Sequence, residues 1–164
     1  MTENIGKKFE NAFKESVEKV AGVAIVRLPD QMNGYAGSKN PCDFFMYKKP
    51  CMYAIECKSV HGNRLPMTNI TDYQFQSMEK FSKIDGLIAG VVCWFIDRDV
   101  TLFIPAHTLI DLKYNGAKSI SYEIKDDMEF LTHEIKGKKK RVFFEYDMEE
   151  FFTVMELNNK NGYI

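Results

Sequence analysis

The chain has 164 residues and a mass of 19.0 kDa, enough for one compact domain and too few for two ordinary ones. Hydrophobic residues make up 45% and aromatics 13%, which excludes global disorder, and the longest apolar run, residues 86–96, falls well short of the roughly 20 residues of a membrane span. The 22 Lys and Arg against 23 Asp and Glu give a formal net charge of −1, a total that taken alone argues against a nucleic-acid partner.

The opening segment, MTENIGKKFE, lacks the apolar core of a signal peptide. The four cysteines (Cys42, Cys51, Cys57, Cys93) form no C-x-x-C pair and suggest neither a zinc site nor a disulfide framework. A reduced, cytoplasmic protein without membrane attachment is expected.

In chain order, residues 5–21 place Ile5, Phe9, Phe13, Val17 and Val20 on one stripe, predicting a helix that Gly22 ends. Residues 23–28 are a β-branched apolar run, a strand stopped by Pro29, and a loop rich in Gly, Asn and Pro follows to Pro41. Residues 42–47 and 52–58 read as two strands joined by a turn at Lys48-Lys49-Pro50, and residues 59–68 as a loop. Residues 71–84 return to the helical period, with Gln74, Met78 and Phe81 on one face. Residues 87–95 form a continuous apolar strand expected at the sheet centre. Asp97-Arg98-Asp99 turns the chain into another strand, 100–104, which Pro105 ends. Beyond Leu112 the pattern weakens: 120–124, 131–135 and 142–146 are candidate strands and 148–157 a closing helix.

No repeat, low-complexity tract or linker interrupts the chain, so one domain is expected over 1–164, with a core at about 5–112 and a short C-terminal β/α extension, 113–164. The order α-β-β-β-α-β predicts an α/β fold with a mixed central sheet flanked by helices.

Three charged residues interrupt these apolar strands. Asp43 stands at the start of the second, and Glu56 and Lys58 lie in the third, within Ile55-Glu56-Cys57-Lys58. Strand side chains alternate, so Glu56 and Lys58 share a face while Ile55 and Cys57 take the other. A hairpin about Lys48-Lys49-Pro50 places Asp43 across from Glu56, so two carboxylates converge beside one lysine. That set suits a hard divalent cation such as Mg²⁺, which takes one or two carboxylates plus water and phosphate; the backbone carbonyl of Cys57 is a further candidate ligand. Lys58 is then placed to orient the attacking water and to offset charge developing on a phosphate, the functions phosphodiester hydrolysis requires. The alternative is an edge strand in which Glu56 and Lys58 form a solvated ion pair.

Asp43 followed by Glu56-Cys57-Lys58 resembles the signature of the PD-(D/E)xK nuclease superfamily, and the element order resembles its restriction-endonuclease-like core. Asn40-Pro41-Cys42-Asp43-Phe44, Ile55-Glu56-Cys57-Lys58-Ser59, Leu65-Pro66, Asn69-Ile70, Tyr73-Gln74 and Leu102-Phe103-Ile104-Pro105 resemble successive motifs of the RecU Holliday-junction resolvases over about residues 5–110. The resemblance implies a Mg²⁺-dependent endonuclease, with Mn²⁺ able to substitute, that resolves four-way DNA junctions as a homodimer by paired symmetric nicks, in a bacterial cell or phage-infected host. It implies metal binding by Asp43 and Glu56 and catalysis by Lys58, and it draws in Glu10 from the first helix, as catalytic group and metal ligand, and Gln74 from the second. Glu10 alternatively forms a solvated pair with Lys14, and Gln74 a backbone-bonded core position. One departure stands out: in RecU proteins the segment before the catalytic Asp is longer and part of it projects as a stalk into the junction, whereas here only residues 29–41 occupy that place. Two other outcomes remain open, another PD-(D/E)xK endonuclease of restriction or repair type and a silent nuclease fold that only binds DNA.

Lys39, Lys48, Lys49 and Arg64 are expected to border the site and track phosphates, with Tyr35 available to stack on a base. His61 and His107 are acid/base candidates without a partner in sequence. Residues 136–141 form a basic cluster, Lys136-Gly137-Lys138-Lys139-Lys140-Arg141, expected as a charged hairpin turn. Charge is segregated along the chain. Residues 121–134 hold five acids and one base, and residues 145–156 five acids and no base, a net of −9 against +8 for the remainder. Because a partner senses potential over about a Debye length, roughly 10 Å, the near-neutral total does not exclude DNA.

Overall fold

The computed structural model describes residues 4–29, 39–124 and 132–164. The side chain of Asn4 accepts the Gly6 N–H at 3.0 Å and starts helix α1, Ile5–Glu18. Its apolar stripe buries Phe9, Phe13 and Val17. Strands β1 (Val23–Arg27), β2 (Phe44–Lys48) and β3 (Cys51–Val60) follow as an antiparallel meander. A short strand β4 (Arg64–Pro66) leads to α2 (Asp72–Phe81), where Thr71 and Gln74 close a capping box. Helix α2 forms part of the crossover that lets β5 (Leu87–Phe95) lie parallel to β3. Strand β6 (Val100–Pro105) returns antiparallel to β5 and feeds α3, Ala106–Tyr114. The tail adds β7 (Ser119–Ser121), β8 (His133–Glu134), β9 (Gly137–Lys139), β10 (Phe144–Tyr146) and α4, Met148–Lys160.

The main sheet has the order β1-β2-β3-β5-β6-β8 and is mixed, as expected, with β3 and β5 its one parallel pair. Strand β5 is buried from Ile88 to Phe95, the continuous apolar pattern of a strand covered on both faces. At Gly90 a Cβ would stand 2.4 Å from the Ile104 carbonyl oxygen and 2.6 Å from the Phe103 ring, so only glycine admits β6 this closely.

Two cores flank the sheet. The one with α1, α4 and β10 gathers Phe9, Phe13, Phe44, Tyr53, Ile55, Trp94, Phe103, Phe151 and Phe152; the one with α2 and α3 is poorer in aromatics and joins Phe75 and Phe95 to Ala54, Val91, Ile104 and Leu109. The segment expected as an extension therefore completes a core, since α4 supplies Phe151, Phe152 and Met155 to the α1 side.

Several features depart from expectation. Helix α1 ends at Glu18, three residues short of its expected limit, and the strand expected at 120–124 is β7, Ser119–Ser121. The loop expected at 59–68 contains β4, which pairs antiparallel with β7. Helix α3, Ala106–Tyr114, follows directly on Pro105, where no helix was expected; it is only nine residues long and buries Ala106, Thr108 and Leu109. Helix α2 ends at Phe81, three residues before the expected limit. The basic cluster does form a hairpin, with β9 antiparallel to β10. The four cysteines are free and buried, and among the described residues no helix is long and apolar enough to cross a membrane.

Candidate active site

Strand register sets the geometry of the charged residues. Phe44 lies opposite Ile55, which continues to Asp43 opposite Glu56. The regular ladder ends there. The Asp43 N–H donates to the Ile55 carbonyl at 3.0 Å, and Asp43 Oδ2 accepts the Cys57 backbone N–H at 2.8 Å. A side-chain carboxylate thus takes the place of a main-chain acceptor and is fixed to β3. Alternation then turns Ile55 and Cys57 into the α1-side core and leaves Glu56 and Lys58 on the other face.

Glu56 is 3% exposed. Its Oε1 accepts from Lys58 Nζ at 2.6 Å, while its buried Oε2 has no hydrogen-bond partner among the described residues. The solvated ion pair weighed above is therefore not what forms: the pair is present, but its carboxylate is inside. Burial, and then the Glu56 charge, push the Asp43 carboxyl up to about 7, against the pull of the Cys57 N–H. Burial raises Glu56 as well, with Lys58 opposing. Two carboxylates are held together that resist ionising together.

Gln74 sits in the first turn of α2. Its Oε1 accepts the Thr71 N–H at 2.9 Å and its own N–H donates to Thr71 Oγ1 at 3.2 Å. With Oε1 used by the cap, the NH₂ end is available to Glu56, whose ionised form the Gln74 side chain favours although Oε2 stays unpaired. Glu10 is close enough for its charge to raise both Asp43 and Glu56. It is not paired with Lys14, which bridges to Glu18 at 2.9 Å. Its Oε2 accepts from Arg27 Nη2 at 2.6 Å and Nε at 3.2 Å. Sequence inspection missed Arg27, although a charge ending the apolar run of β1 is the same signal that singled out Asp43.

The expected DNA contacts scatter. Lys48 and Lys49 do not border the site: Lys48 pairs with Cys51 at the turn end of the β2–β3 hairpin, five residues from Glu56 and roughly 16 Å away at the rise of a strand. Nearness in sequence to Asp43 misled, because a hairpin carries its turn away from its open end. Arg64 is tied to Ser119 through Nε to Oγ at 2.6 Å and Nη2 to the carbonyl at 3.2 Å. Lys39 is exposed four residues before Asp43, and Tyr35 lies outside the described residues.

His61 gains a partner that sequence did not show: Asp97 meets His61 Nδ1 at 2.9 Å and accepts the Gly62 N–H at 2.6 Å, contacts that hold Asp97 below the usual carboxylate range. His107, lowered by burial, opens α3 in a cavity of about 310 Å³ with Leu87, Ile88 and Ala89. That is the N-terminal end of β5, at the far end of the sheet from Lys58. No three described His, Cys, Asp or Glu residues are drawn together as a ready-made metal cluster.

A family model described as Recombination protein U, RecU, matches residues 9–148. The chain belongs to the RecU family. Membership makes it a nuclease of the Holliday-junction resolvase class. Among solved structures, Hjc, a Holliday junction resolvase from the archaeal hyperthermophile Archaeoglobus fulgidus, is similar at 24% identity and a TM-score of 0.47, over 63% of this chain and 78% of that one. No curated protein sequence matches.

Resolvase nucleases generally use divalent metals, and the residues of this RecU-family chain fit one. The orphaned Glu56 Oε2 and the raised Asp43 carboxyl are oxygen acceptors short of a cation. Cys42, pushed up to about 12 by burial and by Glu56 and Asp43, remains a thiol, so the available donors are hard oxygens.

Proposed function

We propose that this RecU-family chain is a Mg²⁺-dependent, structure-selective DNA endonuclease, a single nuclease domain that resolves four-way junctions as a homodimer by paired symmetric nicks. The observation that carries the proposal is the pair of half-buried Asp43 and buried Glu56 carboxylates beside Lys58 in the central mixed sheet. Mn²⁺ has the same oxygen preference and substitutes.

The residues divide the work. Asp43, pinned by the Cys57 N–H, and Glu56, through its unpartnered Oε2, are the groups that hold the cation; the Cys57 carbonyl and Glu10 are further candidate ligands. When bound, the ion supplies Lewis-acid polarisation of the scissile phosphate. Lys58 orients the attacking water and donates to the non-bridging oxygen where charge develops. Its pairing with Glu56 holds the ammonium at the site before substrate arrives. Gln74 steadies Glu56 from α2, and Arg27 holds Glu10 in place. A twofold dimer presents two such sites to two like strands, the symmetry that resolution needs.

A synthetic four-way junction incubated beside linear duplex and flap DNA, with Mg²⁺ or with EDTA, tests this. Paired nicks in the junction alone, lost in EDTA, are expected. Equal cutting of linear duplex would remove the junction assignment, and absence of any Mg²⁺-dependent nicking would leave a DNA-binding fold.

A further inference from the structure

The basic cluster at 136–141 has no part in the site described above. It carries five cations in six residues, a concentration whose self-repulsion opposes folding unless anions lie close. Folded acids answer only part of it. Lys139 pairs with Asp99, and Lys140 shares Glu145 with Lys19 at 3.1 and 3.0 Å. Lys136, Lys138 and Arg141 are exposed and make no ion pair or side-chain hydrogen bond among the described residues.

The hairpin is nevertheless built firmly. Its turn closes through the Lys140 N–H donating to the Phe143 carbonyl at 2.8 Å. At Gly137 a Cβ would meet the Glu145 carbonyl oxygen at 2.6 Å and the Tyr146 Cα at 2.9 Å, so the two strands approach as only glycine permits. Tyr146 anchors the base, its N–H donating to Ser16 Oγ at 3.0 Å and its hydroxyl meeting Thr101 Oγ1 at 2.9 Å.

Two contacts place this hairpin at the active-site end of the sheet. Phe143 packs on Trp94 with ring centroids 5.4 Å apart, and Trp94 is the register partner of Ser59, the residue after Lys58. Asp99, which holds Lys139, lies in the turn from β5 to β6, just past the same end. The cations stand on the α1 side, while Glu56 and Lys58 face α2. Between α1 and the hairpin runs a cleft of about 370 Å³ with Lys8, Lys19 and Lys140 on its walls.

We infer that the β9–β10 hairpin is a second DNA-binding element: Lys138 and Arg141 contact the phosphate backbone of a duplex arm that passes over the end of the sheet while the scissile strand lies at Asp43, Glu56 and Lys58. The inference rests on the endonuclease proposal and adds to it the surface that carries the flanking arm. Contacts of this kind, made to phosphates, fix the register and orientation of an arm without reading its sequence.

The test compares wild type with Lys138→Ala/Arg141→Ala and with the charge-keeping exchange Lys138→Arg/Arg141→Lys, using a four-way junction at several salt concentrations. Each lost phosphate contact lowers the slope of log affinity against log salt by about 0.9, so the double alanine variant is expected to be shallower by roughly two such steps. Affinity should fall about tenfold or more at low salt, with the nicking rate at saturating DNA unchanged and the exchange variant like wild type. A double alanine variant with the wild-type slope overturns the inference and leaves the endonuclease proposal standing. Wild type that binds no junction overturns both.

Discussion

On one face of β3, Tyr53, Ile55 and Cys57 are buried against α1 and α4, in a core that brings Phe9, Phe13, Phe151, Phe152 and Tyr146 into ring contact with their neighbours. On the other face, Glu56 and Lys58 continue a row that begins with Ala54, and the core there buries fewer aromatic rings, Phe75 and Phe95, among Ala, Val, Ile, Leu and Met side chains. Aromatic pairs contribute beyond their buried area, whereas a buried carboxylate with an orphaned oxygen and a second carboxylate beside it opposes folding. One strand thus joins a stabilising surface to a destabilised one, and the aromatic side holds the carboxylates where solvation would otherwise draw them apart.

Substitutions on the two faces should separate activity from stability. The largest effect is expected from Lys58→Ala, which removes the ammonium paired with Glu56. Junction nicking should fall roughly 10³-fold with binding retained, measured by single-turnover cleavage beside a gel-shift titration. Phe151→Ala on the aromatic side should lower unfolding free energy by about 3–5 kcal/mol and leave nicking per folded molecule near wild type; urea denaturation and active-site titration check both parts. Thr71→Ala, which removes the cap that holds Gln74, should lower stability by about 1 kcal/mol and reduce nicking a few-fold, because Gln74 then steadies Glu56 less well. At the far end of the hairpin, Lys48→Ala/Lys49→Ala should change neither junction affinity nor nicking beyond experimental scatter, which sharpens the distinction between the two ends of the sheet.

The juxtaposition of Asp43, Glu56 and Lys58 was legible in sequence for a physical reason: alternation is strict in strands, and these three are charges in otherwise apolar runs. Strands β1, β5 and β6 were legible for the same reason. Helix α3 was not, because nine residues give too few turns for a stripe to show and no capping side chain marks its start after Pro105. The β4–β7 pair joins residues more than 50 positions apart through three-residue strands, too short to show a period. The Arg27–Glu10 and His61–Asp97 pairs likewise arise only when distant elements meet. Lys48 and Lys49 teach the converse, since residues close to Asp43 in sequence are carried away by the hairpin itself.

The near-neutral total charge looks different once located. Lys136, Lys138 and Arg141, without ion pairs among the described residues, gather at the end of the sheet that carries the carboxylates, while the acidic first turn of α4, Glu149 and Glu150, follows its cap Asp147 and complements the helix dipole. Local charge, and not the chain total, bears on a nucleic-acid partner.

The cation site proposed at Asp43 and Glu56 is maintained at the expense of stability. Asp43 is raised from an ordinary value near 3.8 to about 7, so the folded state binds its proton more tightly than the unfolded chain. In metal-free protein the contribution of this group is therefore most favourable below about pH 4 and is lost as pH rises toward 7. The most direct measurement is urea denaturation of wild type and Asp43→Asn from pH 4 to 8, with and without Mg²⁺. Wild type should lose on the order of 2–4 kcal/mol across that range without metal and recover much of it with Mg²⁺, which binds the folded state. Asp43→Asn, which keeps an acceptor for the Cys57 N–H, should lack most of that loss and gain little from Mg²⁺. Equal pH dependence in the two proteins, or equal stabilisation of both by Mg²⁺, would contradict the claim.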